Sequence, residues 1–223
     1  LGTRLRSVVA DQPKVLAPVN DQPFLKYIID KLFAQDFNHV VLSTGYLHEK
    51  IDEFIRAQYP GINISIVVED EPLGTGGGIA HALKKCMNEE VLILNGDTFF
   101  NIDYAQFYHH HHHHQSSFSI ALKHMKNFER YGTVVCDQHH RIIAFTEKKL
   151  MEEGCINAGA YIINRLEFLN YKWPEKFSME KDFMEKFTKD ISMYGFPYDE
   201  YFIDIGIPED FARAQNDFKT LLK

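Results

Sequence analysis

The sequence predicts an α/β fold with a mostly parallel central sheet flanked by helices. Apolar residues recur at helical spacing over 23–37 and 48–58, and they gather into short β-branched runs at 39–44, 64–69 and 91–95. These two patterns alternate without a break, as right-handed βαβ units require. After about residue 115 the rhythm changes to strand-like runs joined by short turns, so a smaller mixed or antiparallel β extension is expected there.

Each element has its own signal. Segment 23–37 places Leu25, Ile28, Ile29, Leu32 and Phe33 on one stripe, with Pro23 suited to a helix start. Segment 48–58 repeats the stripe through Ile51, Phe54 and Ile55. The runs HVVLST, ISIVVE and VLILN read as buried strands. A helix is expected over 79–87. Further strands are expected at 117–125, 133–137, 142–147, 156–164 and 201–205, and helices at 179–187 and 208–222. No internal repeat or long linker interrupts this order, so 1–223 is read as one domain with halves 1–115 and 116–223. The chain opens inside a glycine turn, so a buried strand is expected ahead of Leu1.

Composition limits the function classes. With 223 residues and 45% apolar content, a substantial core forms and disorder is not expected. Cys86, Cys136 and Cys155 show neither disulfide nor metal-ligand spacing, which fits a reducing cytoplasm. No apolar run approaches the length of a membrane span. A net charge of −7 argues against general nucleic-acid binding, while Arg4, Arg6 and Lys14 still give a local cationic cluster. The run His109–His114 is read as the end of an ordinary solvated helix, because 103–117 has the length of one helix and a turn; an affinity tag or a metal-binding tract is the alternative reading.

The chemistry-bearing residues fall into two glycine-rich stretches and two aspartates. Leu1, Gly2, Thr3 and Arg4 form a turn whose amides and guanidinium suit phosphate, and Lys14 follows shortly after. The second stretch runs Glu71, Pro72, Leu73, Gly74, Thr75, Gly76, Gly77, Gly78. A dinucleotide fingerprint starting at Gly74 requires glycine where Ile79 stands, so that reading fails. A loop this small is expected instead to lie against a flat base and offer it backbone donors and acceptors, a plain tight connection being the alternative. Asp97 and Asp204 each stand in an apolar setting, where an acidic side chain needs a cation or donors. Mg²⁺ suits such a pair, since it takes a few carboxylates and completes its octahedron with phosphate and water. Glu147 and Asn157 suit sugar hydroxyls and Lys148 an incoming phosphate, while Tyr131 and Gly132 are expected nearby and Gly159 follows Asn157.

The ordered series GTRL, PK, LGTGG, NGD, YGTV, EK, NAG and DIGIPED resembles the sugar-1-phosphate nucleotidyltransferases. That resemblance spans nearly the whole chain. It implies a Rossmann-like nucleotidyltransferase fold and a Mg²⁺-dependent exchange in which a nucleoside triphosphate and a sugar 1-phosphate give a nucleotide sugar and pyrophosphate. It assigns Gly2, Thr3 and Arg4 to the triphosphate and Lys14 to the reacting phosphates. Leu73, Gly74 and Gly77 fall to the base, and Asp97 and Asp204 to the metal. Glu147, Lys148 and Asn157 fall to the sugar phosphate. Within the family the chain looks most like bacterial enzymes making GDP-heptose or GDP-mannose, which favours GTP with D-glycero-D-manno-heptose 1-phosphate. A homo-oligomer is compatible with this reading; nucleic-acid and membrane partners are not expected. The competing classes are a non-catalytic nucleotide or sugar-phosphate sensor, a histidine-based metal buffer and a dinucleotide oxidoreductase.

Overall fold

The computed structural model describes residues 12–221. The expectations for Leu1, Gly2, Thr3 and Arg4, and for a strand ahead of them, lie outside the described residues. The chain separates into two compact units, one formed by Leu1–Asp70, Gly96–Phe99 and Phe202–Lys223 and the other by Glu71–Asn95 and Phe100–Tyr201.

In the first unit a 3-10 turn over Lys14–Leu16 leads into the short strands β1 (Pro18–Val19) and β2 (Gln22–Pro23) and helix α1 (Phe24–Ala34). Strand β3 (Val40–Thr44), helix α2 (His48–Gln58) and strand β4 (Ile64–Val68) follow. β3 and β4 pair in parallel, Val40 with Ile64 through Thr44 with Val68, as a βαβ unit requires. Leu25 and Ile29 of α1 meet Ile51 and Ile55 of α2, together with Leu16 and Tyr59, in one buried cluster. The expected apolar stripes are therefore what closes this core.

The second unit begins with α3 (Gly74–Leu83) and β5 (Glu90–Leu94). Strand β6 (Thr98–Phe100) crosses from one unit to the other. Then come α4 (Tyr104–His113), β7 (Phe118–Phe128), β8 (Val134–Cys136), β9 (Ile142–Phe145), β10 (Met151–Asn164) and α5 (Arg165–Asn170). A π-helical stretch over Met179–Met184 runs into α6 (Glu185–Phe187), and β11 (Met193–Tyr198) completes the unit. Back in the first unit are β12 (Phe202–Asp204) and α7 (Pro208–Leu221).

The main sheet is mixed, in the order β11-β7-β10-β5. β11 runs parallel to β7, whereas β10 is antiparallel to both β7 and β5. Thus the run VLILN forms a strand as its pattern demands, but it is half-buried rather than buried, and it pairs antiparallel with β10 rather than continuing the parallel ladder of β3 and β4. Phe118, Ile120 and Leu122 of β7 face a cluster that includes Phe168, Phe177 and Phe183. The alternate residue Ser119 turns the other way, toward His111 of α4.

Two segments differ from expectation for clear reasons. The pattern alone did not mark β11 (MYGFPY) as a strand because it contains Gly195 and Pro197, both strand breakers. As the edge strand of its sheet, it tolerates the proline's missing donor. The histidine run does end a helix, but it is not wholly solvated. His111 is buried with Nδ1 at 2.8 Å from Ser119 Oγ, while His110 and His114 pack on Phe196 with ring centroids 5.0 and 5.1 Å away. Tyr104, Phe107 and His111 continue one buried helical stripe, leaving His109, His112 and His113 exposed.

Candidate active site

In the first unit three sequence-distant residues converge. Leu16 is anchored in the core, and the 3-10 turn is closed by Leu16 N–H donating to Pro13 O at 2.8 Å, which sets Lys14 on a fixed backbone. Asp97 follows β5 in the turn before β6. Asp204 ends β12, where its buried neighbours Ile203 and Ile205 force the aspartate to the opposite side. The Ile205 N–H donates to Asp97 O at 3.0 Å and so joins the two acidic segments. Lys14 Nζ lies 2.7 Å from Asp97 Oδ2 and 3.9 Å from Asp204 Oδ1.

Gly206 makes room for this cluster. Its N–H donates to Asp204 Oδ1 at 2.7 Å, and a Cβ there would sit 2.8 Å from that oxygen and 3.3 Å from Lys14 Nζ. The carboxylates are the more open groups: the Lys14 side chain is 18% exposed against 38% for Asp97 and 25% for Asp204. Among the described residues no group of three or more His, Cys, Asp or Glu side chains forms a ready cation cage. The donor set present, two carboxylates within reach of one ammonium, nonetheless fits a hard divalent ion whose remaining ligands come from phosphate and water.

In the second unit the glycine-rich stretch forms the first turns of α3. Gly76, Gly77 and Gly78 are buried. Gly76 N–H donates to Phe177 O at 3.0 Å and Gly77 N–H reaches the same oxygen at 3.4 Å, while Phe177 N–H returns a bond to Leu73 O at 3.0 Å. A Cβ on Gly76 would collide with the Phe177 ring, and one on Gly77 would lie 2.6 Å from Glu175 O. These two glycines thus accommodate the protein's own chain, and their amides are occupied. Thr75 is engaged as well: its hydroxyl donates to Glu180 Oε2 at 2.9 Å and accepts the Met179 N–H at 2.8 Å. The exposed positions of the stretch are Glu71, Pro72 and Thr75, while Leu73 and Gly74 are half-buried.

The remaining expected residues lie on β10 and the β8–β9 hairpin. The pairing of β10 with β7 shifts register between Asn157 and Ala160, and Gly159 there adopts φ +71°. Asn157 supports this bulge, since its Oδ1 accepts Gly159 N–H at 2.9 Å and its Nδ2 donates to Tyr161 OH at 2.9 Å. Gly159 O in turn accepts the Asn95 N–H at 2.8 Å. Gly132 packs closely on Thr146 O, and Glu147 and Lys148 follow directly as exposed side chains. Tyr131 is half-buried beside Gly132.

Pattern reading missed Glu180, Ser178 and Phe177, which together hold the glycine stretch. Ser178 Oγ also donates to Glu180 Oε2 at 2.9 Å. One local signal was present: Ser178 caps the following helix by accepting Lys181 N–H at 3.2 Å, and Asp182 Oδ2 accepts Ser178 N–H at 2.9 Å.

Known proteins match this architecture from end to end. A family model described as Nucleotidyl transferase matches residues 1–220. The chain belongs to this family. A D-glycero-alpha-D-manno-heptose 1-phosphate guanylyltransferase of Aneurinibacillus thermoaerophilus is 48% identical over 98% of this chain and 95% of its own length. Its counterpart from Campylobacter jejuni is 42% identical over 95% and 93%, respectively. The crystal structure of HddC from Yersinia pseudotuberculosis superposes with a TM-score of 0.89 at 34% identity, covering 98% of this chain and 95% of that one. Its complex with GMP-PN gives 0.86 at 32% identity, covering 93% and 91%. This nucleotidyl transferase therefore has the α/β fold of the family and is an enzyme of the sugar-1-phosphate nucleotidyltransferase class. The family is generally dependent on a divalent metal.

Proposed function

We propose that the chain transfers GMP from GTP to D-glycero-D-manno-heptose 1-phosphate, releasing pyrophosphate. The observation that carries the chemistry is the Lys14 ammonium held by Asp97 and Asp204. Two relatives of 48% and 42% identity bear the name of that reaction, which favours GTP and the heptose over mannose 1-phosphate.

The attacking group is a phosphate oxygen that is already anionic near neutral pH, so no general base is needed. A sugar-phosphate oxygen bonds to the α-phosphorus in line as the bond to the pyrophosphate oxygen breaks, and no covalent enzyme intermediate forms. The barrier is repulsion: one pair of unit charges about 5 Å apart costs about 3 kcal/mol at an effective dielectric near 20. Lys14 meets the reacting phosphates, and Asp97 and Asp204 are the residues that hold Mg²⁺. When bound, that ion supplies further positive charge to phosphate oxygens.

Leu1, Gly2, Thr3 and Arg4 are assigned to the triphosphate, and Glu71, Leu73 and Gly74 to the base. Gly76 and Gly77 shape that nucleotide stretch from inside, and Thr75 ties it to Glu180 at the surface. Tyr131, Gly132, Glu147, Lys148 and Gly159 are assigned to the sugar phosphate, with Asn157 setting the bulge. In this reading 1–115 is the nucleotide half and 116–223 the sugar half, and the enzyme works in the cytoplasm, where nucleoside triphosphates are made.

A matrix of four nucleoside triphosphates against heptose, mannose and glucose 1-phosphates, read as pyrophosphate release with Mg²⁺, tests the assignment. GTP with the heptose phosphate is expected to give the highest kcat/KM. A preference for mannose 1-phosphate would replace the sugar assignment, and no release with any pair would leave a binding domain.

A further inference from the structure

Glu180 is a positioning residue for nucleotide recognition, we infer, acting through Thr75 on the backbone of 73–77. The inference rests on the assignment of Leu73 and Gly74 to the base. Its geometry lies wholly within the second unit.

Glycine gives the stretch 74–78 its close fit, but glycine also leaves the backbone with more freedom than any other residue. Something outside the stretch must therefore fix it. The segment 175–180 does so from two sides. On the backbone side, Phe177 exchanges bonds with Leu73, Gly76 and Gly77, and its ring lies where any side chain at Gly76 would go. On the side-chain side, Glu180 Oε2 accepts both the Thr75 hydroxyl and the Ser178 hydroxyl, each at 2.9 Å. The same Thr75 oxygen accepts Met179 N–H at 2.8 Å. One donor and one acceptor capacity of Thr75 are thereby used within the chain, and the carboxylate ties two segments that are 105 residues apart in sequence.

A hydrogen bond accepted by an ionised carboxylate is stronger than a neutral one. Losing it frees Thr75 to turn, loosens Met179, and weakens the pair of amides on Phe177 O. Leu73 and Gly74 would then no longer be held in one arrangement, so the base would have to order them on binding.

The test compares Glu180→Ala with Glu180→Gln, because a glutamine oxygen can accept the same two bonds. Amide hydrogen exchange on the intact protein is followed at Gly76, Gly77 and Met179, alongside KM for GTP and for the sugar phosphate. E180A is expected to exchange about tenfold faster at these amides and to raise KM for GTP about tenfold. Its kcat and the sugar-phosphate KM should change less than twofold, and E180Q should restore both readouts. Unchanged exchange in E180A would overturn the latch. Faster exchange with an unchanged GTP KM would keep the contact but remove the stretch from nucleotide recognition, overturning the base assignment. An equal fall in every parameter, with a lowered Tm in both variants, would mean that Glu180 only supports the fold.

Discussion

The Lys14, Asp97 and Asp204 cluster and the glycine stretch of α3 solve opposite problems. The cluster gathers charge from segments far apart in sequence and keeps its carboxylates partly open. The glycine stretch does the reverse, turning small residues inward so that Phe177 and Glu175 fill the space a side chain would take. Both contain a glycine on which an added Cβ would press, but only in the cluster does that glycine make room beside charged groups. A residue at a functional position can therefore act by presenting chemistry or by yielding space, and the two roles respond differently to mutation.

The largest effect should come from the cluster. Asp97→Asn is expected to keep Tm within 2 °C or so and to lower Mg²⁺-dependent kcat about a hundredfold or more. Thermal melting and steady-state pyrophosphate release measure the two quantities, and a fully active variant would remove Asp97 from the metal assignment. Lys14→Ala should lower kcat more than GTP affinity, because its charge counts most as the transition state forms.

A space-yielding residue should show the opposite signature. Gly77→Ala must displace Glu175 O, which lies 2.6 Å from the added Cβ, and should cost about 1–3 kcal/mol in urea unfolding. Gly45→Ala provides the control, since the nearest atom to its added Cβ is Glu69 Cβ at 4.0 Å, and a change within about 0.5 kcal/mol is expected. If the two variants melt alike, the packing account of the α3 glycines fails.

The smallest effect concerns pH and again separates residues that look identical in sequence. Burial holds the His111 imidazole below the ordinary histidine pKa, with Glu90 partly opposing it. Its neutral form therefore goes with the fold. Stability is fully present above the unfolded value near 6.5 and declines as pH falls below it toward the lower folded value, because only the unfolded chain takes up the proton. His111→Gln should flatten that acid limb in urea titrations. Replacing His109, His112 and His113 by alanine should leave its shape unchanged, and an equal response from both variants would contradict the burial argument.

Much of this molecule was legible in its order of residues. The stripes of α1 and α2 closed a core as written, and the apolar runs became β3, β4 and β5. Lys14, Asp97 and Asp204 were picked out as chemistry-bearing, and the two aspartates as partners, before any geometry. Pairing direction was another matter. The run at 91–95 has the same pattern whether its neighbour is parallel or antiparallel, because side-chain alternation does not record strand polarity. β11 escaped notice because Gly195 and Pro197 hide an edge strand.

Local chemistry thus determined which segments are helix or strand and which side chains are reactive, since period and residue type act over a few neighbours. Only tertiary packing decided that Gly76 and Gly77 face Phe177 and that Glu180 reaches Thr75. It also decided that, of six adjacent histidines, one is buried and two are half-buried. Those outcomes depend on which distant segment arrives to occupy each face, and no spacing within a single element encodes that.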